Sequence, residues 1–251
     1  MRIIAAALSH VGLKRLENQD RVAIHPPALG NGPWRLLAVA DGMGGEAAGG
    51  LAAQTAMDEL ELLDFSTLCD GEPTRTLAAW ATRANTALLR MGHSIQGLEG
   101  MGSTLTMALL CHGAAHWLHV GDSRLYLFRN RKLRRITRDH RFLQSLLDNG
   151  SMAPAEAAVH PMRNRLDQCL GCAHFKPDTG SFACRPRDVL LLCSDGLHDE
   201  ASEETIAAIL DALPASPREP DLEEAALALV QTALRHGGRD NISVALACVQ
   251  G

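Results

Sequence analysis

A chain of 251 residues, 46% of them hydrophobic, has material for one well-buried domain and too little for two. Its net charge of -5 and isoelectric point near 6.1 come with no run of lysine or arginine able to follow a phosphate backbone, and no stretch approaches the roughly 20 apolar residues of a membrane span. Nucleic acid and membrane are therefore excluded as expected partners, and the seven scattered cysteines, odd in number, read as reduced thiols of a soluble cytoplasmic protein.

In chain order, Met1 to Leu8 is apolar for too short a distance to be a signal peptide and reads as a first strand. Residues 47 to 65 place Leu51, Ala52, Thr55, Ala56, Leu60 and Leu63 at helical spacing, and 74 to 93 repeat the pattern with Leu77, Trp80, Ala81, Ala84, Leu88 and Met91. Thr104 to Leu110, Ala114 to Val120 and Leu125 to Arg129 are short apolar runs divided by turn residues, which predicts a meander of antiparallel strands. A helix is expected from about Asp139 to Asn149, closed by Gly150, followed by a polar, poorly periodic excursion from Ser151 to about Ala183. Within it, Cys169-Leu170-Gly171-Cys172 is the one close cysteine pair; it has the spacing of half a zinc site or of a redox motif, but no second pair follows, and ordinary thiols are expected. After a strand at Val189, a helix is predicted from Glu203 to Leu213, then one capped by Asp221 and ended by Gly237-Gly238, and a last strand from Ile242 to Val249. Helices on one face of each sheet, and sheet against sheet, define an α+β fold: a four-layer αββα sandwich of two antiparallel β-sheets flanked by helices, in a single domain spanning 1–251.

Five aspartates sit in turns at the ends of these apolar runs: Asp20, Asp41, Asp122, Asp195 and Asp240. Asp41 and Asp195 each read as strand, then acid, then glycine, whereas Asp240 precedes its strand, so antiparallel neighbours would bring the acids to one end. Crowded carboxylates repel one another and persist as anions only where a bound cation supplies the opposite charge, which predicts a metal site. Gly42-Met43-Gly44-Gly45-Glu46-Ala47 weakly satisfies the dinucleotide fingerprint, but Asp41 would repel a pyrophosphate and no alternating parallel units follow. The glycines instead bring backbone carbonyls, Gly42 first, close enough to ligate a metal. Oxygen-only ligands favour Mg²⁺ or Mn²⁺ over zinc. Arg15, five residues before Asp20, has the planar fork that suits a phosphate. His116 and His119 fall on opposite sides of a strand and do not form a cluster with His112, and His140 reads either as a capping residue or as the rim of the acidic site.

Arg15-x-x-Asn18-Gln19-Asp20, Asp41-Gly42-Met43-Gly44-Gly45, Met101-Gly102-Ser103-Thr104, Gly121-Asp122-Ser123-Arg124, Thr137-x-Asp139-His140, Ser194-Asp195-Gly196-Leu197 and Asp240-Asn241 occur in the order of the type 2C metal-dependent Ser/Thr protein phosphatases. The whole chain resembles this PPM family in its compact bacterial form. The resemblance implies that Asp41 bridges two tightly bound Mg²⁺ or Mn²⁺ ions with the Gly42 carbonyl beside it, and that Asp195 and Asp240 complete the protein ligands of one ion. It further implies that Asp20 acts through coordinated water, that Asp122 with Asp195 holds a third, weaker metal, and that Arg15 binds the substrate phosphate. The stretch at about 145–183 would be a mobile flap. The implied activity is hydrolysis of phosphoserine and phosphothreonine in proteins by a metal-bridging hydroxide, in signalling that opposes a bacterial Ser/Thr kinase and its substrates. A phosphopeptide-binding pseudophosphatase, or a phosphatase dedicated to an anti-anti-sigma-type regulator, is the alternative. Three positions depart from the family pattern: Met43 stands where many eukaryotic relatives carry a histidine, Gln19 where glutamate is frequent, and Ser103 where threonine is common.

Overall fold

The structure is a computed structural model, and it describes residues 2–25, 34–45, 48–64, 68–69 and 71–250. In chain order the elements are β1 (Arg2–His10), β2 (Asp20–His25), β3 (Arg35–Met43), α1 (Ala48–Glu61), α2 (Pro73–Ser94), β4 (Gly102–Ser103), β5 (Leu105–Cys111), β6 (Ala114–Val120), β7 (Arg124–Arg129), β8 (Lys132–Arg135), α3 (Gln144–Asp148), α4 (Pro154–Val159), β9 (Asp178–Ala183), β10 (Val189–Cys193), α5 (Asp195–His198), α6 (Glu203–Asp211), α7 (Glu219–Arg235) and β11 (Ile242–Gln250).

One sheet runs β1-β11-β10-β7-β8 and the other β2-β3-β5-β6-β9, with β4 paired to β3, and every pairing is antiparallel. The period-2 alternation of buried strands sorts their side chains into layers. In β3, Leu36, Ala38 and Ala40 face α1 and α2, while Leu37 and Val39 face the other sheet. In β10, Val189, Leu191 and Cys193 join the core formed with α6 and α7, while Leu190 and Leu192 turn inward. Because both faces of these strands are covered, their sequences are continuously apolar, and the result is the four-layer αββα sandwich expected from the sequence. Among the described residues, no helix is long and apolar enough to cross a membrane.

Four local features differ from the sequence reading. The three strands after Gly100 are not one meander, because β5 and β6 belong to one sheet and β7 to the other. The crossing is made at Gly121, whose φ of 107° favours glycine and whose bare Cα lies against Thr104, where a Cβ would come within 2.6 Å. The helix expected from Asp139 is shorter: residues 140–142 pair in extended form with 165–167, and α3 begins only at Gln144. Of the stretch 145–183, Asp178–Ala183 form β9 at the edge of a sheet, and Leu170 is buried in the core with Phe175 packed against it, so only part of the stretch lies outside the sandwich. Finally, α7 starts earlier than Asp221, which is its third residue and accepts a hydrogen bond from the Arg218 N–H at 2.6 Å.

Candidate metal and phosphate site

All five aspartates lie at one end of the sandwich. Asp20 opens β2 and is paired in register with Asp41 near the end of β3. Asp195 follows β10 and Asp240 precedes its antiparallel partner β11, as the opposite order of acid and strand required. Asp122 sits in the crossing turn between β6 and β7. Asp41, Asp122, Asp195 and Asp240 line a cleft of about 660 Å³ together with Arg15, Gly42 and Met43, while Asp20 lies behind it with 2% of its surface exposed.

Backbone and hydroxyl contacts fix these acids. The Asp41 N–H donates to Thr104 Oγ1 at 3.0 Å, and its carbonyl accepts from the Thr104 N–H at 2.8 Å and from Ser103 Oγ at 3.0 Å. Ser194 Oγ donates to Asp20 Oδ2 at 2.7 Å and accepts from the Ser243 N–H at 3.0 Å. Asn241 accepts from the Gln19 N–H and donates to the carbonyls of Val11 and Glu17, binding the Arg15–Asp20 loop to the start of β11. The serine and asparagine beside Asp195 and Asp240 thus orient the acids around them.

Burial raises Asp20 to about 6, with the hydrogen bonds from Ser194 and Ser243 working against it and Asp240 adding to it. Asp41 and Asp195 are pushed well above the ordinary carboxylate range, by burial first and then by the neighbouring acids. Asp20 Oδ1 and Asp195 Oδ1 are buried with no hydrogen-bond partner. A side chain at Gly49 of α1 would bring its Cβ within 2.7 Å of both the Gly42 carbonyl oxygen and Gln19 Oε1, so its absence leaves those oxygens room beside the acids. Orphaned, mutually repelling carboxylate oxygens fit hard divalent ions. Among the described residues, no three His, Cys, Asp or Glu side chains close on one point by themselves, so carbonyls and water must complete any coordination shell, as suits Mg²⁺ or Mn²⁺.

The raised acids give a pH expectation. Between its unfolded value of 3.8 and about 6, Asp20 holds more proton in the folded than in the unfolded state, so its contribution to metal-free stability is full below 3.8 and lost as pH rises through about 6. Asp41 and Asp195 act in the same sense to higher pH. Burial depresses His119 to about 3, which works in the opposite sense below its unfolded value of 6.5, but equally with and without metal. The gain in melting temperature on adding Mn²⁺ is therefore expected to shrink as pH falls from about 7.5 to about 5. Differential scanning fluorimetry with and without Mn²⁺ checks this, and a constant gain would contradict the assignment.

Arg15 reaches back over the cleft, with Nη2 donating to Asp240 Oδ2 at 2.6 Å and about half of its side chain exposed. His140 is buried under the crossing turn, where Nδ1 accepts from the Gly121 N–H at 3.3 Å and Nε2 faces Asp178 at 3.2 Å, so it supports the Asp122 turn rather than the cleft. His119 is fully buried between Thr106 and the Arg138 carbonyl. Among the described residues, no histidine lines the cleft. Cys169 and Cys172, expected as thiols, are joined in a disulfide, since the tight turn between them brings their Cα atoms to 5.5 Å; the other five cysteines form no disulfide. The intervening Leu170 pairs with Ser103, whose hydroxyl holds Asp41. Sequence reasoning missed Arg141, whose Nε donates to Asp122 Oδ2 at 2.8 Å. Its only signal was its position, one residue past the Asp139-His140 pair.

A two-sheet sandwich that collects buried carboxylates at one end and sets an arginine at the mouth of their cleft offers oxygen donors suited to hard divalent cations beside a guanidinium suited to an anion. A family model described as protein phosphatase 2C matches residues 13–232, and the chain belongs to that family. It is 41% identical to the serine/threonine protein phosphatase PstP of Mycobacterium tuberculosis over 97% of its own length, but covers only 44% of that relative. It is 33% identical to the protein phosphatase PhpP of Streptococcus pneumoniae over 95% of its length and 94% of the relative. The crystal structure of the M. tuberculosis phosphatase superposes with a TM-score of 0.87 at 38% identity, over 100% of both chains. The catalytic domain of PstP in complex with two manganese ions does so with a TM-score of 0.85 at 37% identity, over 100% of this chain and 99% of that one. These likenesses agree with the αββα fold.

Proposed function

We propose that this chain hydrolyses phosphoserine and phosphothreonine in proteins, with Mg²⁺ or Mn²⁺ as cofactor, in the cytoplasm and in opposition to a Ser/Thr kinase. The observation that carries the reading is the convergence of Asp41, Asp122, Asp195 and Asp240 at one cleft, with Asp20 buried behind Asp41 and Arg15 at the mouth. Bound divalent ions supply activation of water and neutralisation of charge on the phosphoryl group. Asp41, Asp195, Asp240 and the Gly42 carbonyl would hold them. Asp20, oriented by Ser194, presents its unpartnered Oδ1 as an acceptor for water in the site. Arg15, half exposed, keeps donors for a phosphate oxygen while one N–H stays on Asp240. No cysteine lines the cleft among the described residues, so no thiol serves as nucleophile. Met43 has no proton to give, and the leaving oxygen takes its proton from solvent in the open cleft. The excursion within residues 145–177 acts as the flap, since Asn164 and Leu166 form part of the cleft wall.

Purified protein with Mn²⁺ and a phosphothreonine peptide is expected to release inorganic phosphate and to stop when EDTA is added. Absence of release with Mn²⁺ demonstrably bound would sink the enzyme reading and leave the phosphopeptide-binding alternative.

A further inference from the structure

Asp122, Asp195 and Asp199 surround one guanidinium. Arg141 donates from Nε to Asp122 Oδ2 at 2.8 Å, and its Nη2 lies 3.5 Å from Asp199 Oδ1 and 4.0 Å from Asp195 Oδ2. The side chain is 17% exposed, and Nη2 is buried without a hydrogen bond of its own. Burial opposes the charge on Arg141, but Asp122 and Asp199 outweigh it and raise its pKa, so the cation is permanent. Asp199 is lowered to about 2: burial opposes its ionisation, and His198 and Arg141 overcome that. The backbone of Arg141 is also anchored, bridging Leu166 of the cleft wall, while the Asp122 carbonyl accepts a hydrogen bond from His198 Nε2 at 3.0 Å.

We propose that Arg141 is the resident counter-ion of this outer acidic subsite and takes the place a third divalent ion would need, so that Asp122 anchors a guanidinium instead of ligating a metal. The inference rests on the metal-site reading above. A monovalent, covalently tethered cation neutralises part of the charge of three carboxylates at no cost in ion binding, and its planar fork occupies the space between Asp122 and Asp195 that an ion would fill. Arg141 is thus a positioning residue: its Nε holds Asp122 in place and its charge faces Asp195, beside the acids that would hold the ions.

Equilibrium dialysis against millimolar Mn²⁺ followed by elemental analysis tests this without reference to activity. The wild type is expected to retain two Mn²⁺ per chain, Arg141→Ser three, and the double variant Arg141→Ser with Asp122→Asn two again; Arg141→Lys, which keeps the charge, is expected to stay at two. Three ions in the wild type, or two in a folded Arg141→Ser, would overturn the role of Arg141 while leaving the metal site standing. No Mn²⁺ on any of the proteins would overturn the metal-site reading and this inference with it. Should Arg141→Ser fail to fold, the wild-type count and the Arg141→Lys count still decide.

Discussion

Replacing Asp41 with asparagine is expected to lower kcat by at least about 10³-fold, corresponding to about 4 kcal/mol of transition-state stabilisation, while leaving the metal-free fold at least as stable as the wild type. The two halves of this expectation have one cause. Asp41 is raised by burial and by Asp20, Asp195, Asp122 and Asp240, so in the absence of cations its negative charge is a burden on the fold. Asparagine keeps the shape, and the backbone that Thr104 and Ser103 hold is unchanged, but it no longer repels Asp20 across the β2–β3 register. With divalent ions present the balance reverses: the wild type gains stability by mass action, and the variant, missing its central ligand, gains less. Steady-state kinetics on a phosphopeptide, with thermal unfolding measured with and without Mn²⁺, checks both. A variant that unfolds early without metal would show that Asp41 is structural, and an unchanged kcat would remove it from the chemistry.

The feature behind that expectation was legible in the sequence because it is local twice over. A continuous apolar run says strand, a carboxylate followed by glycine says that the strand ends in a tight turn, and the reversed order at Asp240 says that β11 runs against β10. Burial of the strands on both faces follows from the same runs. What the sequence could not show depends on contacts distant along the chain. Nothing in Leu125 to Arg129 distinguishes a strand that continues its sheet from one that crosses to the other; the choice is made by Gly121 packing against Thr104. The start of α3 was misplaced because residues 140–142 find backbone partners at 165–167, a pairing with no local signature. Arg141 was overlooked for a related reason: an arginine between a histidine and a phenylalanine looks like any surface cation until Asp122, 19 residues earlier, and Asp199, far later, are seen to face it. The Cys169–Cys172 disulfide shows that spacing alone did not settle the redox state of that pair.

Gly42→Ala is expected to damage both the fold and the cleft. A Cβ at position 42 would fall 2.0 Å from the Gly49 carbonyl oxygen, 2.4 Å from its carbon and 2.9 Å from the Gln19 carbonyl oxygen, all of them backbone atoms with no rotamer to escape into. Relief requires α1 to withdraw from β3, yet α1 carries Ala52, Ala53, Ala56 and Leu60 in the core and cannot move alone. Overpacking against side chains costs about 1–3 kcal/mol, and against backbone the upper end or more applies, so a fall in melting temperature of about 6–12 °C is expected for about 3 kcal/mol. The same displacement carries away the Gly42 carbonyl and the turn that presents Asp41, so Mn²⁺ affinity should fall together with stability. Gly45→Ala is the control. Gly45 has a φ of 90° but nothing within 4 Å of an added Cβ, so only the left-handed backbone penalty of about 1–2 kcal/mol applies. Thermal unfolding and Mn²⁺ titration of the two variants separate the causes: if Gly45→Ala proved as harmful as Gly42→Ala, the tight approach of α1 to the Asp41 turn would not be what builds the site.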